Sequence, residues 1–165
     1  MVDAAGPSRG DPLRLVCFEL RGQELALPID HVRETMPIQP ITRVVLTPDC
    51  LAGVFSLRGD IVPAIDLGVL LGLGRTEVGD GSRIVVIEHD GGTAAIVVDR
   101  LRDLRTIDDA LEPPPTNLPP AVALLMLGVA ATTTGTVRVL DANAIVSAEP
   151  LRALARTADE EGKPA

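Results

Sequence analysis

The chain has 165 residues and a formal charge of −8; 46% of its residues are hydrophobic, yet only Phe18 and Phe55 are aromatic. That length suits one domain with a full core or two small barrels sharing an interface, and the core must be built from Val, Leu, Ile and Ala. The charge argues against a nucleic-acid partner, which needs clustered Lys and Arg, and against an anionic membrane surface.

Fourteen of the fifteen basic residues are Arg, with Lys163 the single lysine. Cys17 and Cys50 are far apart in sequence and read as buried thiols of a reducing compartment, not as a disulfide framework. The first dozen residues hold no apolar signal-peptide core. The longest apolar run, Ala121 to Ala131, is too short for a bilayer, so no direct membrane insertion and a cytoplasmic location are expected.

Residues 1–12, rich in Gly, Ala and Ser with Pro7 and Pro12, read as a disordered leader, and 13–156 as the folded domain. A first hairpin pairs Leu15–Leu20 with Glu24–Ile29 across Arg21-Gly22-Gln23; Pro28 puts the second arm at an edge or near its own end. Asp30 is expected to cap a short helical turn through His31-Val32-Arg33. Prolines at 37 and 40 among β-branched residues make Glu34–Leu46 an extended edge segment, closed by a turn at Thr47-Pro48-Asp49.

Cys50 to Leu67 contains two apolar runs, Gly53–Leu57 and Ile61–Leu67, around Arg58-Gly59-Asp60. This reads as a tight hairpin with an arginine fixed at its tip. Leu67–Leu73 is expected to form a helical turn closed by Gly72 or Gly74, followed by a polar surface loop, Gly74–Ser82. Arg83–His89 and Thr93–Asp99, joined by Asp90-Gly91-Gly92, are near-continuous β-formers and so are expected to be buried on both faces.

Leu101–Ile107 adds a strand, and Asp108 to Pro115 a connector that its prolines exclude from a central strand. Leu124–Ala131 and Val137–Leu140 make a last hairpin across Thr132–Thr136. Asp141 is placed to cap a short helix, Pro150 to open another through Leu151–Arg156, and 157–165 to fray as a disordered tail. Nine to eleven short strands with two or three short helices give an all-β reading, barrel or sandwich.

Catalytic motifs are missing from this pattern. Gly72-Leu-Gly74-Arg-Thr-Glu77 lacks the third glycine of a dinucleotide fingerprint, and Lys163 lies too near the end to serve a phosphate-binding loop. His31, His89, Cys17 and Cys50 have no paired metal-ligand spacing, and no histidine is placed beside Ser56 or Cys50 for nucleophilic catalysis. Neither a metal nor a cofactor is expected. What is left is a binding module, whose strand edges and Arg/Glu-rimmed apolar surface suit protein recognition. The residues alone leave Arg58 open to two readings: a solubilising turn residue, or one member of an ion pair with Glu34 beside an apolar patch.

Gly53-Val-x-x-Leu57-Arg58-Gly59-x-Ile61-Val62-Pro63-x-Ile65-Asp66-Leu67 resembles the signature of CheW-like domains, the coupling proteins of bacterial chemosensory arrays. Phe18-Glu-Leu-x-Gly22, Leu27-Pro28-Ile29, Val32-x-Glu34, Ile96-Val-Val-Asp99 and Glu112-Pro113-Pro114 follow in the order of that family, from about Leu13 to Val146. Arg100 stands where the family commonly has glycine. The resemblance implies two SH3-like five-stranded β-barrel subdomains packed together, and a non-enzymatic adaptor between a chemoreceptor cytoplasmic tip and a histidine kinase regulatory domain, recruited to membrane-associated arrays. It further implies that Arg58 and Glu34 lie together in the functional surface, with Val32 and Gly53 near a receptor-binding groove between the barrels. An adaptor of a twitching, gliding or other non-flagellar chemosensory pathway, and a small-ligand-binding β-barrel, are the alternatives.

Overall fold

The computed structural model describes residues 12–89, 92–133 and 135–148. Ten strands and three short helices follow in the order β1 (Leu13–Leu20), β2 (Gln23–Pro28), a 3-10 turn (Ile29–His31), β3 (Val32–Pro37), β4 (Leu51–Leu57), β5 (Asp60–Ile65), α1 (Leu67–Leu70), β6 (Arg83–His89), β7 (Gly92–Val98), β8 (Arg100–Ile107), α2 (Pro120–Ala123), β9 (Met126–Thr132), β10 (Gly135–Leu140) and α3 (Ala142–Val146). They form two five-stranded sheets, β8-β1-β2-β10-β9 and β3-β6-β7-β5-β4. Each sheet curls shut: Thr42, beyond β3, bridges to Val54 on β4, and Glu112, beyond β8, bridges to Val129 on β9.

The two barrels have one plan. Each contains two hairpins, β1–β2 with β9–β10 and β6–β7 with β4–β5, joined through one parallel contact, β10 to β2 and β5 to β7. In each, a helix follows the inner strand of one hairpin, α1 after β5 and α3 after β10, and is capped by an aspartate. Asp66 accepts from Val69 N–H at the start of α1, and Asp141 from Asn143 N–H at the start of α3. The difference lies in chain order. The second barrel is continuous from β3 to β7, whereas the first is assembled from β1–β2 and β8–β10 around it, a permuted version of the same unit.

Burial on both strand faces explains the unbroken apolar runs. One face of β1 and β2 fills the first barrel with Leu15, Cys17 and Ala26, against Ala130, Val137 and Val139. The other face sends Phe18, Leu20, Leu25 and Leu27 into a larger cluster shared with Val85, Ile87, Ile96 and Val98 of the second barrel and with Leu140 and Ile145. Phe55, Leu57, Val62, Ile84, Val86 and Val97 fill the second barrel. The largest core is thus the seam between barrels.

Several expectations are corrected. Asp30 caps nothing: the turn starts at Pro28 and ends at Val32, whose N–H reaches Ile29 O, and Val32 and Arg33 already belong to β3, where the β-branched Val32 pairs with Ile87. Of the two places expected for Pro28, an edge strand or a strand end, the structure has the second: β2 is central and Pro28 is its last residue. Pro28 is tolerated because β10 pairs only with Leu25 and Ala26, before the proline's missing N–H matters. The extended segment from Glu34 stops pairing at Pro37, keeps one bridge at Thr42 and then turns, leaving Val45 and Leu46 exposed. The run Leu124–Ala131 is not one strand: Pro119 and Pro120 open α2, and β9 begins only at Met126. The turn tripeptides shorten to pairs, Arg21-Gly22 and Arg58-Gly59, since Gln23 and Asp60 already pair in β2 and β5. Thiol burial is as expected, with Cys17 and Cys50 both free and buried. The leader, the tail and the helix expected at Leu151–Arg156 lie outside the described residues.

Candidate functional site

Two hairpins of this fold turn on the same dipeptide. Arg21 and Gly22 have φ of 51° and 79°, and Arg58 and Gly59 of 51° and 88°; positive φ at both central residues makes the turn follow the twist of its strands. Only the glycine adopts this at no steric cost, so each arginine is held in an unfavourable conformation by its hairpin.

The two arginines are used differently. Arg21 is tied into the fold, its N–H donating to Asp99 Oδ2 at 2.8 Å and its guanidinium lying over Gly74. Arg58 projects outward with its side chain 63% exposed, and grips Glu34 with both arms of its guanidinium, Nη1 to Oε2 and Nη2 to Oε1, the latter at 2.9 Å. This fork matches a carboxylate as a lysine could not.

Glu34 is presented by β3, where the ladder to β6 shifts register between Val32 and Glu34. It is the less exposed partner, at 23%. Its hydrogen bonds to Arg58 hold the carboxyl below the usual glutamate range, outweighing the opposing effect of partial burial, with the charges of Arg58 and Arg33 adding in the same direction. β3 and β4 are the two ends of the sheet, so the pair reaches across the closing seam of the second barrel, near the Thr42–Val54 bridge.

Further residues surround the pair. Arg33 lies 3.6 Å from Glu88 and 4.0 Å from Glu34, so the charges form a short network. Ile61, on β5 opposite Ser56, is 68% exposed, and with Arg33, Leu57, Asp60, Val62 and Thr93 it lines a hollow of about 320 Å³. Sequence reasoning did not select Ile61 or Arg33. The available signal was that Ile61 is the outward-facing position of a hairpin whose neighbour Val62 points inward.

The other two expected residues face inward, into packing contacts. Val32 is half-buried and packs against the seam between the barrels. Gly53 is buried; a Cβ there would lie 2.3 Å from Thr42 O and 2.7 Å from Ile41 Cγ2, so its missing side chain is what lets the strap after β3 close on β4. Gly128 plays the same part in the first barrel, where a Cβ would lie 2.5 Å from Glu112 O.

Acid–base and metal chemistry gain little from this arrangement. Burial pushes the Cys17 thiol up to about 11 and raises that of Cys50, which leaves both poor nucleophiles. Among the described residues no group of three or more His, Cys, Asp and Glu is gathered as a metal site, and no helix is long and apolar enough to cross a membrane. The exposed pair can offer a geometrically defined charge beside an apolar residue, which is a means of recognising a protein surface.

Residues 14–149 match the model of the CheW-like domain. The chain is 26% identical to a chemotaxis protein CheW of Bacillus subtilis over 137 residues, covering 82% of this chain and 88% of that one. It is 32% identical to a chemotaxis protein CheW of Helicobacter pylori over 107 residues, 64% of this chain and 65% of that protein's length, so that match spans just under two thirds of the relative. Among solved structures, the scaffolding protein TtCheW of Thermoanaerobacter tengcongensis superposes with a TM-score of 0.72 at 30% identity, covering 79% of this chain and 90% of that one. With its two SH3-like barrels, its Arg58–Glu34 clasp and a family match running from β1 to beyond α3, the chain belongs to the CheW-like domain family.

Proposed function

We propose that this chain is a non-enzymatic adaptor of a chemosensory array, joining the cytoplasmic tip of a chemoreceptor to the regulatory domain of a histidine kinase. The observation that carries the reading is the bidentate Arg58–Glu34 pair, solvent-facing at the seam of the second barrel in a chain of this family. Arg58 and Glu34 are the contact residues of the adaptor surface. Val32 sets the position of β3 against the inter-barrel seam, and Gly53 sets the closure of the strap beneath the pair. Contacts of about −8 kcal/mol each, micromolar in affinity, suffice where an array multiplies them.

The test is a binding measurement with a receptor-tip fragment and with a kinase regulatory domain, each alone, using the parent chain and Arg58→Glu. Binding of both by the parent and weakened binding of at least one by the variant, at an unchanged thermal midpoint, is the expected result. A parent chain that binds neither removes the adaptor reading. The same two partners taken from flagellar and non-flagellar systems distinguish which kind of pathway the chain serves.

A further inference from the structure

The strap after β3 carries an apolar tip. Val44, Val45 and Leu46 follow one another there and are 37%, 80% and 101% exposed, and Leu46 has a φ of 62°, a conformation that only glycine adopts without cost. The tip is braced on both sides. Thr42 makes two backbone hydrogen bonds with Val54, at 2.8 and 2.9 Å, Thr47 Oγ1 donates to Val44 O at 2.7 Å, and Leu51 N–H donates to Pro48 O at 3.0 Å. Three neighbouring apolar side chains are thus held in water on a rigid loop, which is what a preorganised protein contact needs.

Beside this knob lies a groove of about 730 Å³. Pro48 and Asp49 at the foot of the strap line it together with Val69 and Leu70 of α1, Leu125 after α2 and Ala144 of α3. Leu124, 74% exposed, stands on the wall that the first barrel contributes. From Leu46 to Pro48 the chain reaches at most about 7 Å, so knob and groove are neighbours on one surface. That adjacency suits a two-fold axis: when two copies meet across an axis between knob and groove, each knob enters the other copy's groove and the same contact is made twice.

The charges agree with such a pairing. Arg43 precedes the knob and Asp49 lines the groove; both are exposed, and among the described residues neither makes an ion pair. Across the axis, Arg43 of each copy comes to the side of the groove that carries Asp49 of the other. With a formal charge of −8 the chain repels its own copy, so apolar burial has to drive the contact while these two local pairs set its register.

We propose that a second copy of this chain is the partner of this surface, in a symmetric dimer where Val45 and Leu46 of each protomer occupy the groove of the other. The surface lies at the opposite end of β4 from Arg58, so its test needs neither receptor nor kinase.

Sedimentation equilibrium of the full chain, from low micromolar to millimolar concentration, is expected to show monomer and dimer in exchange. Leu46→Asp on the knob and Leu124→Asp on the groove should each raise the dissociation constant at least about ten-fold, because each puts a charge into apolar surroundings, with the far-ultraviolet circular dichroism of the fold unchanged. Mixed together, these two variants should associate more tightly with each other than either does with itself, since the mixed pair keeps one intact knob and groove. Arg43→Asp should weaken the dimer, and Arg43→Asp with Asp49→Arg should restore it. Four outcomes overturn the proposal: a chain monomeric over the whole range, assembly that grows beyond two copies, a dimer indifferent to Leu46→Asp, or a mixture that associates no better than its components.

Discussion

At the scale of single residues, Arg58 and Gly53 lie on the same hairpin and are predicted to fail in opposite ways. Arg58→Glu sets two carboxylates facing each other at an exposed site, so it should weaken partner binding and leave the thermal midpoint within about 2 °C, the shift of a surface change below 0.5 kcal/mol. Reversing the pair, Arg58→Glu with Glu34→Arg, should regain part of the binding if the partner reads the shape of the clasp; a partner that reads the positive charge itself will not be rescued. Gly53→Ala instead drives a methyl group into Thr42 O and Ile41, and should cost about 1–3 kcal/mol by overpacking, lowering the thermal midpoint and the binding together. A stable Gly53→Ala variant would show that the strap closes by some other means. Glu34 adds a pH dependence. Its carboxyl gives up its proton more readily in the folded chain than in the unfolded one, so its contribution is complete above the usual glutamate range and is lost as pH falls through the lowered folded value. A carbon-detected titration of Glu34 should show that low value in the parent chain and a higher one in Arg58→Gln.

At the scale of elements, the hairpins were legible because β-branched runs and Arg-Gly turns act locally. All four hairpins appear, with Arg58-Gly59 at one tip as its composition requires. What was not legible depended on partners distant in sequence. Pro28 reads equally as an edge signal or as a strand end, and the choice falls to the second only when β10 arrives from residue 138 and stops pairing just short of it. Leu124 and Leu125 read as strand because their apolar run hides the effect of Pro119 and Pro120, which start a helical turn instead. The Arg58–Glu34 pair could be suspected, since both residues lie on apolar extended segments, but only barrel closure brings the ends of the sheet together. Asp66 gives a prediction at this scale. It caps α1 and also accepts from Thr76 N–H at 3.1 Å and Thr76 Oγ1 at 2.8 Å, fastening the loop after the helix. Asp66→Ala should cost about 1–2 kcal/mol, through the lost cap and the lost hydrogen bonds to the half-buried Thr76, and should raise amide exchange through residues 67–76. Exchange rising only at the first turn of α1 would limit Asp66 to a cap.

At the scale of the whole molecule, the shared central cluster makes the two barrels one thermodynamic unit. Phe18, fully buried, belongs to the first barrel by chain and to the seam by packing. Phe18→Ala should therefore cost about 3–5 kcal/mol and shift a single unfolding transition seen by calorimetry; two resolved transitions would mean that the barrels melt independently. The permuted duplication has a further consequence, in time rather than in space. During synthesis the continuous barrel, β3 to β7, is complete as soon as Val98 has emerged, while the hairpin β1–β2 still lacks its neighbours β8 and β10. At about 5–20 residues per second, the interval from Val98 to Gly135 lasts roughly 2–7 s. The first hairpin made is the last to be enclosed, and for those seconds the finished second barrel is the only surface that can shield Phe18, Leu20, Leu25 and Leu27 from another nascent chain.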